Sequence, residues 1–233
     1  MCACEARRSA GVVGDFVETG VASGGASILM MAALDDAGIP TTKRHFACDS
    51  FQGLPRGTRF DWSAYNNCSV AARSISGAQG CGYARGSGVR EAQTLRQFQG
   101  QYAFARRIFE AHVLRSGVSP SRMVVVEGWF NQTLPPASLG RIAFARFDGD
   151  LYESTRDALN ALYPLVSSGG AVYIDDYGAY GGCQLAVDEY RQKHSINTPM
   201  HKVWQAFTPI ARAFATPQMR AGFGFEAVWW IKE

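Results

Sequence analysis

The chain has little of what marks a nucleic-acid binder, a zinc protein or a membrane span. Its formal net charge is only +3 over 233 residues. The basic residues are scattered, with Arg7-Arg8 and Arg106-Arg107 merely pairs on what reads as a solvated face, so nucleic acid is not an expected partner. Six cysteines occur, none in a C-x-x-C pair, and Cys2-x-Cys4 has no second pair to complete a zinc set. Cys48 falls inside a predicted buried strand, where cysteine behaves as a small hydrophobe; Cys68 and Cys81 share one loop and are read as unpaired. The strongest apolar run, residues 28–34, is too short to span a bilayer, and the N-terminal stretch lacks the apolar core of a signal peptide. The expectation is a cytoplasmic protein with no membrane contact. No internal repeat and no interdomain linker interrupt the chain.

What is present is enough apolar residue for one substantial core, 47% against 18% charged, so residues 1–233 are read as a single domain. Residues 16–19 read as a strand running into Gly20, a small-residue loop follows, and an apolar helix spans 26–35. Residues 45–48 form the next strand, closing on Asp49, which completes a βαβ unit and favours a parallel sheet. Residues 56–88 are rich in Gly, Ser, Ala and Asn and read as a long loop or lid. From Glu91 apolar residues recur at threes and fours as far as Val113, predicting a helix. Strands are predicted at 123–126, at 142–147 with apolar and polar residues alternating, and at 171–174. A last helix runs over 183–194, and strands at 202–205 and 227–231 flank an insertion at 207–224.

Chemistry concentrates where predicted strands end. Asp148 follows one strand and Asp175-Asp176 another. If those strands are parallel neighbours, the carboxylates share the carboxyl edge of the sheet, where open α/β sheets bind ligands. Carboxylates so close repel unless protonated or bridged, and a hard divalent cation is the usual bridge. Asp150 fits a capping box with Glu153 and so has a structural role at a helix N-cap. The first βα turn, residues 18–25, carries glycines where backbone approaches a ligand and ends at a helix N-terminus. It is not a G-x-G-x-x-G, but Asp49 at the end of the second strand is placed to bind ribose hydroxyls. Trp129 and Phe130, after the third strand, are candidates to stack on a base. His194 and His201 are read as helix-end or surface histidines.

The blocks VGDFVETGVASGGASILM, HFACDSFQGLP, EGWFNQTLP, ARFDGDLYESTRDALNALYPLVSSGGAVYIDDY and AVDEYRQKHSI resemble the TylF/MycF group of macrocin-type O-methyltransferases, in order, across most of residues 12–197. The resemblance implies a Rossmann-like class I methyltransferase fold: an α/β domain with a seven-stranded, mostly parallel sheet, helices on both faces and an antiparallel last strand. It implies S-adenosylmethionine and Mg²⁺ as cofactors and methylation of a sugar hydroxyl on a natural product. Glu18, Thr19 and Gly20 would line the methionine part of the donor, Asp49 with Ser50 the ribose, and Gly128-Trp129 the adenine. Asp148, Asp175 and Asp176 would hold magnesium, with Asp148 also taking the acceptor proton. Catechol-type relatives place a lysine three residues after the first metal aspartate, where this chain has Leu151.

Three departures fall on acceptor-side regions. Only about a dozen residues precede the first strand where the family has a long helical segment, so either the chain is shortened there or the lid comes from elsewhere, such as residues 56–88. Ala22-Ser23 replaces an aromatic or charged loop residue, and the 207–224 insertion is unusual. The expected partner is a small-molecule hydroxylated acceptor, with a homo-oligomer left open. The rival readings are a phenol methyltransferase of the same fold and a non-catalytic relative that only binds the cofactor.

Overall fold

The computed structural model describes residue 4 and residues 8–36, 43–61, 98–135, 139–204 and 225–233. The lid expectation beyond residue 61, the Cys68 and Cys81 reading and the 207–224 insertion lie outside the described residues. Seven strands form one sheet: β1 (Asp15–Thr19), β2 (His45–Asp49), β3 (Met123–Glu127), β4 (Ile142–Phe147), β5 (Val166–Ile174), β6 (His201–Trp204) and β7 (Phe225–Ile231). Their order is β3-β2-β1-β4-β5-β7-β6. β7 alone runs antiparallel to its neighbours β5 and β6. The helices among the described residues include α1 (Gly25–Asp36), α2 (Arg106–Ser116), the single turn α3 (Phe130–Thr133), α4 (Tyr152–Leu162) and α5 (Gly181–Lys193).

The central strands are covered on both faces, which is what an all-parallel region requires. β4 is buried at every position instead of alternating with solvent as its sequence suggested. Phe16, Ala47, Phe144 and Tyr173 pack into one apolar cluster, and Val17, Cys48, Ala145 and Ile174 into another, the alternation of a pleated strand between two faces. α4 closes one of these faces with Thr155, Ala158, Leu159 and Leu162, a stripe at helical spacing.

Two predicted boundaries move. Ser167-Ser168-Gly169-Gly170 does not end a helix: α4 stops at Leu162, a 3₁₀ turn Tyr163–Leu165 follows, and the four residues belong to β5. Gly169 takes a positive φ of 81° there and its N–H donates to the Lys232 carbonyl at 2.7 Å. The helical pattern from Glu91 is also not continuous. Residues 98–105 form a turn, with Gly100 and Tyr102 at positive φ, because their backbone pairs with the 53–54 loop: Leu54 N–H donates to Gln101 O and Gly100 N–H to Leu54 O. Among the described residues of that pattern, which begin at Phe98, helix starts at Arg106.

The sheet order reverses between β1 and β4, the switch point at whose carboxyl end a crevice opens. Thr19 pairs with Phe147, Phe147 with Ile174, Thr19 with Cys48, and Asp49 with Glu127. Gly128, Asp49, Gly20, Asp148 and Asp175 therefore emerge side by side along one edge. No helix among the described residues is long and apolar enough to cross a membrane.

Candidate active site

A cleft of about 810 Å³ lies over this edge. One wall includes Gly20, Asp49, Ser50, Gly128 and Trp129, residues read from the sequence as cofactor-binding; Glu18 and Thr19 are fully buried behind it. Asp49 organises the wall from inside. One carboxylate oxygen accepts N–H donations from Val21 (2.8 Å) and Ala22 (3.2 Å), the other from Phe51 (2.7 Å). Gly20 sits at φ 81°, and a Cβ there would overlap the Asp148 carbonyl oxygen, so only glycine lets the two strand ends meet.

The opposite wall is acidic. Asp148, Asp150 and Asp176 each offer a carboxylate oxygen within 4.8 Å of the others. Asp175 also lines the cleft, but its Oδ1 is paired with Arg146 Nη2 at 2.8 Å. Arg146 is the residue that sequence reading missed. From β4 its Nη1 donates to Asp148 Oδ2 (2.6 Å) and to Glu18 Oε1 (2.7 Å), so one buried guanidinium holds two strand-end aspartates and the β1 glutamate. Glu18 also accepts from Ser27 Oγ, and His45 Nε2 lies 3.4 Å away. Burial alone pushes the Glu18 carboxyl up, but His45, the Arg146 charge and Ser27 outweigh it and hold it below the usual value. A signal for Arg146 was present: a charge inside a strand of otherwise apolar residues needs a buried partner.

The capping-box reading of Asp150 is corrected. Asp150 adopts φ 55°, and α4 has Leu151 at its N-cap with no side-chain cap from that residue. The N–H of Tyr152 donates instead to Asp61 Oδ1 at 2.6 Å, across 91 positions of sequence. Asp150 is thereby left facing Asp148 and Asp176, and it is 8% exposed. His194 packs tilted against Tyr190, His201 stacks on Trp229, and neither lines the cleft.

Burial, then the neighbouring Asp148 and Asp175, push the Asp150 carboxyl up to about 8, with Arg146 opposing. Burial raises Asp175 to about 6 against the pull of Arg146, and burial with the three neighbouring aspartates raises Asp176. The folded protein thus binds protons that the unfolded chain has released. Their contribution to stability is full below the ordinary carboxyl value near 3.8 and is lost as pH rises through the folded values, up to about 8. Cation-free protein should therefore melt at lower temperature at pH 8.5 than at pH 6, and Mg²⁺ should restore more at pH 8.5. Equal melting temperatures at the two pH values would contradict this electrostatic picture.

The site fits a hard divalent cation on its own chemistry. The donors are all oxygen, and Asp176 Oδ2, on a residue 7% exposed, has no hydrogen-bond partner among the described residues.

The chain is similar to known proteins. The family described as Macrocin-O-methyltransferase (TylF) matches residues 2–74 and 91–208. An 8-demethyl-8-(2,3-dimethoxy-alpha-L-rhamnosyl)-tetracenomycin-C 4'-O-methyltransferase of Streptomyces olivaceus is 38% identical over 193 residues, covering 83% of this chain and 64% of the relative. Mycinamicin III 3''-O-methyltransferase of Micromonospora griseorubida is 33% identical over 187 residues, covering 80% and 64%. The chain thus spans under two thirds of the length of these curated relatives. Among solved structures, that of the O-methyltransferase NovP superposes with a TM-score of 0.69 at 28% identity, over 99% of this chain and 77% of that one. The calicheamicin methyltransferase CalS11, at 20% identity and a TM-score of 0.60, shares the fold.

Proposed function

Since the chain belongs to the TylF macrocin-O-methyltransferase family, we propose that it transfers a methyl group from S-adenosylmethionine to a hydroxyl of a glycosylated natural product, assisted by Mg²⁺. The observation that carries this reading is the joining, in one cleft at the sheet's switch point, of the Asp49 and Gly128-Trp129 wall with the aspartate cluster. The donor's ribose would meet Asp49, its adenine Trp129, and its methionine part the backbone of the 20–22 loop.

Asp148, Asp175 and Asp176 would hold the cation, with Arg146 orienting the first two through one oxygen of each and leaving the other for the metal. Bound there, Mg²⁺ supplies a Lewis acid that makes a nearby hydroxyl more acidic. Asp150 is better suited than Asp148 to take the proton. Asp148 is tied to Arg146 at 2.6 Å, whereas Asp150 points into the cleft, and a cation held beside it would bring its raised carboxyl back down toward neutrality, where it is free to accept a proton. As the hydroxyl oxygen forms its bond to the methyl carbon and the carbon–sulfur bond breaks, Asp150 accepts the hydroxyl proton. The close grouping of Asp150 with Asp148 and Asp176 favours a second reading, with Asp150 as a cation ligand in place of Asp175. An Asp150→Asn protein that keeps its Mn²⁺ affinity but loses turnover supports the base; one that loses Mn²⁺ affinity supports the ligand.

Acceptor charge is constrained as well. The described lining residues include Asp49, Glu153 and Asp157 besides the four clustered aspartates, and no Arg, Lys or His. A phosphate-bearing sugar would meet repulsion from the described lining, so a neutral or cationic acceptor fits those residues best.

The test begins with calorimetric titration by S-adenosylhomocysteine, which needs no acceptor. Micromolar binding is expected. Asp49→Ala should weaken it by about tenfold or more, since it removes a charge-assisted hydrogen-bond acceptor worth about 1.5–3 kcal/mol. A folded protein with no affinity for this compound would refute the reading.

A further inference from the structure

We propose that Asp61 is a positioning residue that holds the Asp148–Asp150 turn in its ligand-binding shape from outside the turn. The inference rests on the cation reading above and extends it to a residue that never touches the cleft. The turn hangs between two fixed points. At its start, the Asp148 N–H donates to the Thr19 carbonyl at 2.9 Å, tying it to the sheet. At its end, the Tyr152 N–H donates to Asp61 Oδ1 at 2.6 Å, tying it to a segment 91 positions earlier.

Asp61 is built to hold that second point. It is 4% exposed, and its other oxygen accepts from Thr58 N (2.6 Å) and Thr58 Oγ1 (2.9 Å), so the carboxylate is locked by three hydrogen bonds. The neighbouring Phe60 ring packs on Tyr152 with centroids 4.5 Å apart. Gly182, in the first turn of α5, makes room: a Cβ there would overlap Asp61 Oδ1 and come within 3.1 Å of the Tyr152 nitrogen.

The consequence lies in what Asp150 is free to do. A helix start with no acceptor leaves unsatisfied N–H groups, and an aspartate two residues before Tyr152 is the natural local supplier. With Asp61 filling that role, Asp150 stays at φ 55° with its carboxylate among the cluster. Without Asp61, the turn would relax toward the local cap, drawing Asp150 away and loosening Asp148 with it.

The test is Mn²⁺ affinity, followed by its paramagnetic resonance signal, in wild type, Asp61→Ala, Asp61→Asn and Gly182→Ala, with hydrogen exchange read at the Tyr152 amide. Asp61→Ala should weaken Mn²⁺ about 10–100-fold, the range for residues supporting metal ligands, while S-adenosylhomocysteine binding stays within about threefold. Gly182→Ala should do the same by displacing the carboxylate. Because alanine is the better helix former, it decides the matter even if Asp61→Ala fails to fold. Asp61→Asn keeps one acceptor oxygen for Tyr152 and should recover most of the affinity. Faster Tyr152 exchange with Mn²⁺ affinity unchanged would reduce Asp61 to a helix cap and overturn the proposal, leaving the cation reading intact. A wild-type protein that binds no Mn²⁺ would overturn both.

Discussion

Asp176→Asn should lower Mg²⁺-dependent turnover by about 10²–10³-fold, the loss of several kcal/mol of transition-state stabilisation, while S-adenosylhomocysteine affinity changes less than about threefold. The backbone around Asp176 does not depend on its side chain: its carbonyl accepts from the N–H groups of Ala179 (3.0 Å) and Tyr180 (2.9 Å), and asparagine preserves both. What changes is a buried carboxylate with an oxygen that no described protein group satisfies. The same substitution removes one of several crowded like charges. Cation-free Asp176→Asn should therefore melt higher than wild type at pH 8, so function is lost while stability is gained. Turnover within threefold of the parent would end the assignment of Asp176 to the cation; a lower melting temperature would show that the cluster is not under repulsion.

Arg146→Met should destabilise the fold by about 3–5 kcal/mol, the cost of stripping a buried ion of its partner. For a domain of this size that is on the order of 10 °C in melting temperature. Glu18 is fully buried, with Arg146 as its cationic partner at 2.7 Å, and methionine fills the guanidinium's space without its charge. Arg146→Lys should fall between, because one ammonium cannot reproduce a fork that reaches Glu18, Asp148 and Asp175 together. Denaturant midpoints measure both. A loss under 1 kcal/mol for the methionine variant would mean Glu18 is satisfied by Ser27 and His45 alone.

The legible parts of the molecule were those whose signal is local. Asp49, Asp148 and Asp175 could be found because each follows a short apolar strand, and parallel pairing then delivers them to one edge. Gly20 and Gly128 were found for the same reason, at the turns that leave those strands. Asp150 was misassigned because a helix cap and a cleft carboxylate look alike in sequence, and the residue that settles between them, Asp61, stands 91 positions before the Tyr152 it caps. Arg146 carried a readable oddity, a charge in a buried strand, but the carboxylates Glu18, Asp148 and Asp175 that it pairs with come from two other strands' ends and its own. Ser167-Ser168-Gly169-Gly170 has the composition of a helix stop; what makes it strand is its pairing with the Lys232 backbone, which no local rule contains. Apolar spacing likewise predicted helix over 98–105, where backbone bonds to residue 54 prevail.

Gly20 sets a limit on how this cleft can change. With no side chain, it allows the loop after β1 to rest on the main chain of Asp148, and any side chain there would have to force the two apart. With donor and acceptor bound as proposed above, the spacing between them would be written in backbone, at a position with no side chain left to trim. Remodelling for a bulkier alkyl donor would have to proceed through flanking lining positions such as Trp129. In this lineage, acceptor choice and donor size should consequently diversify on the rim while the gap between the two reactants stays constant.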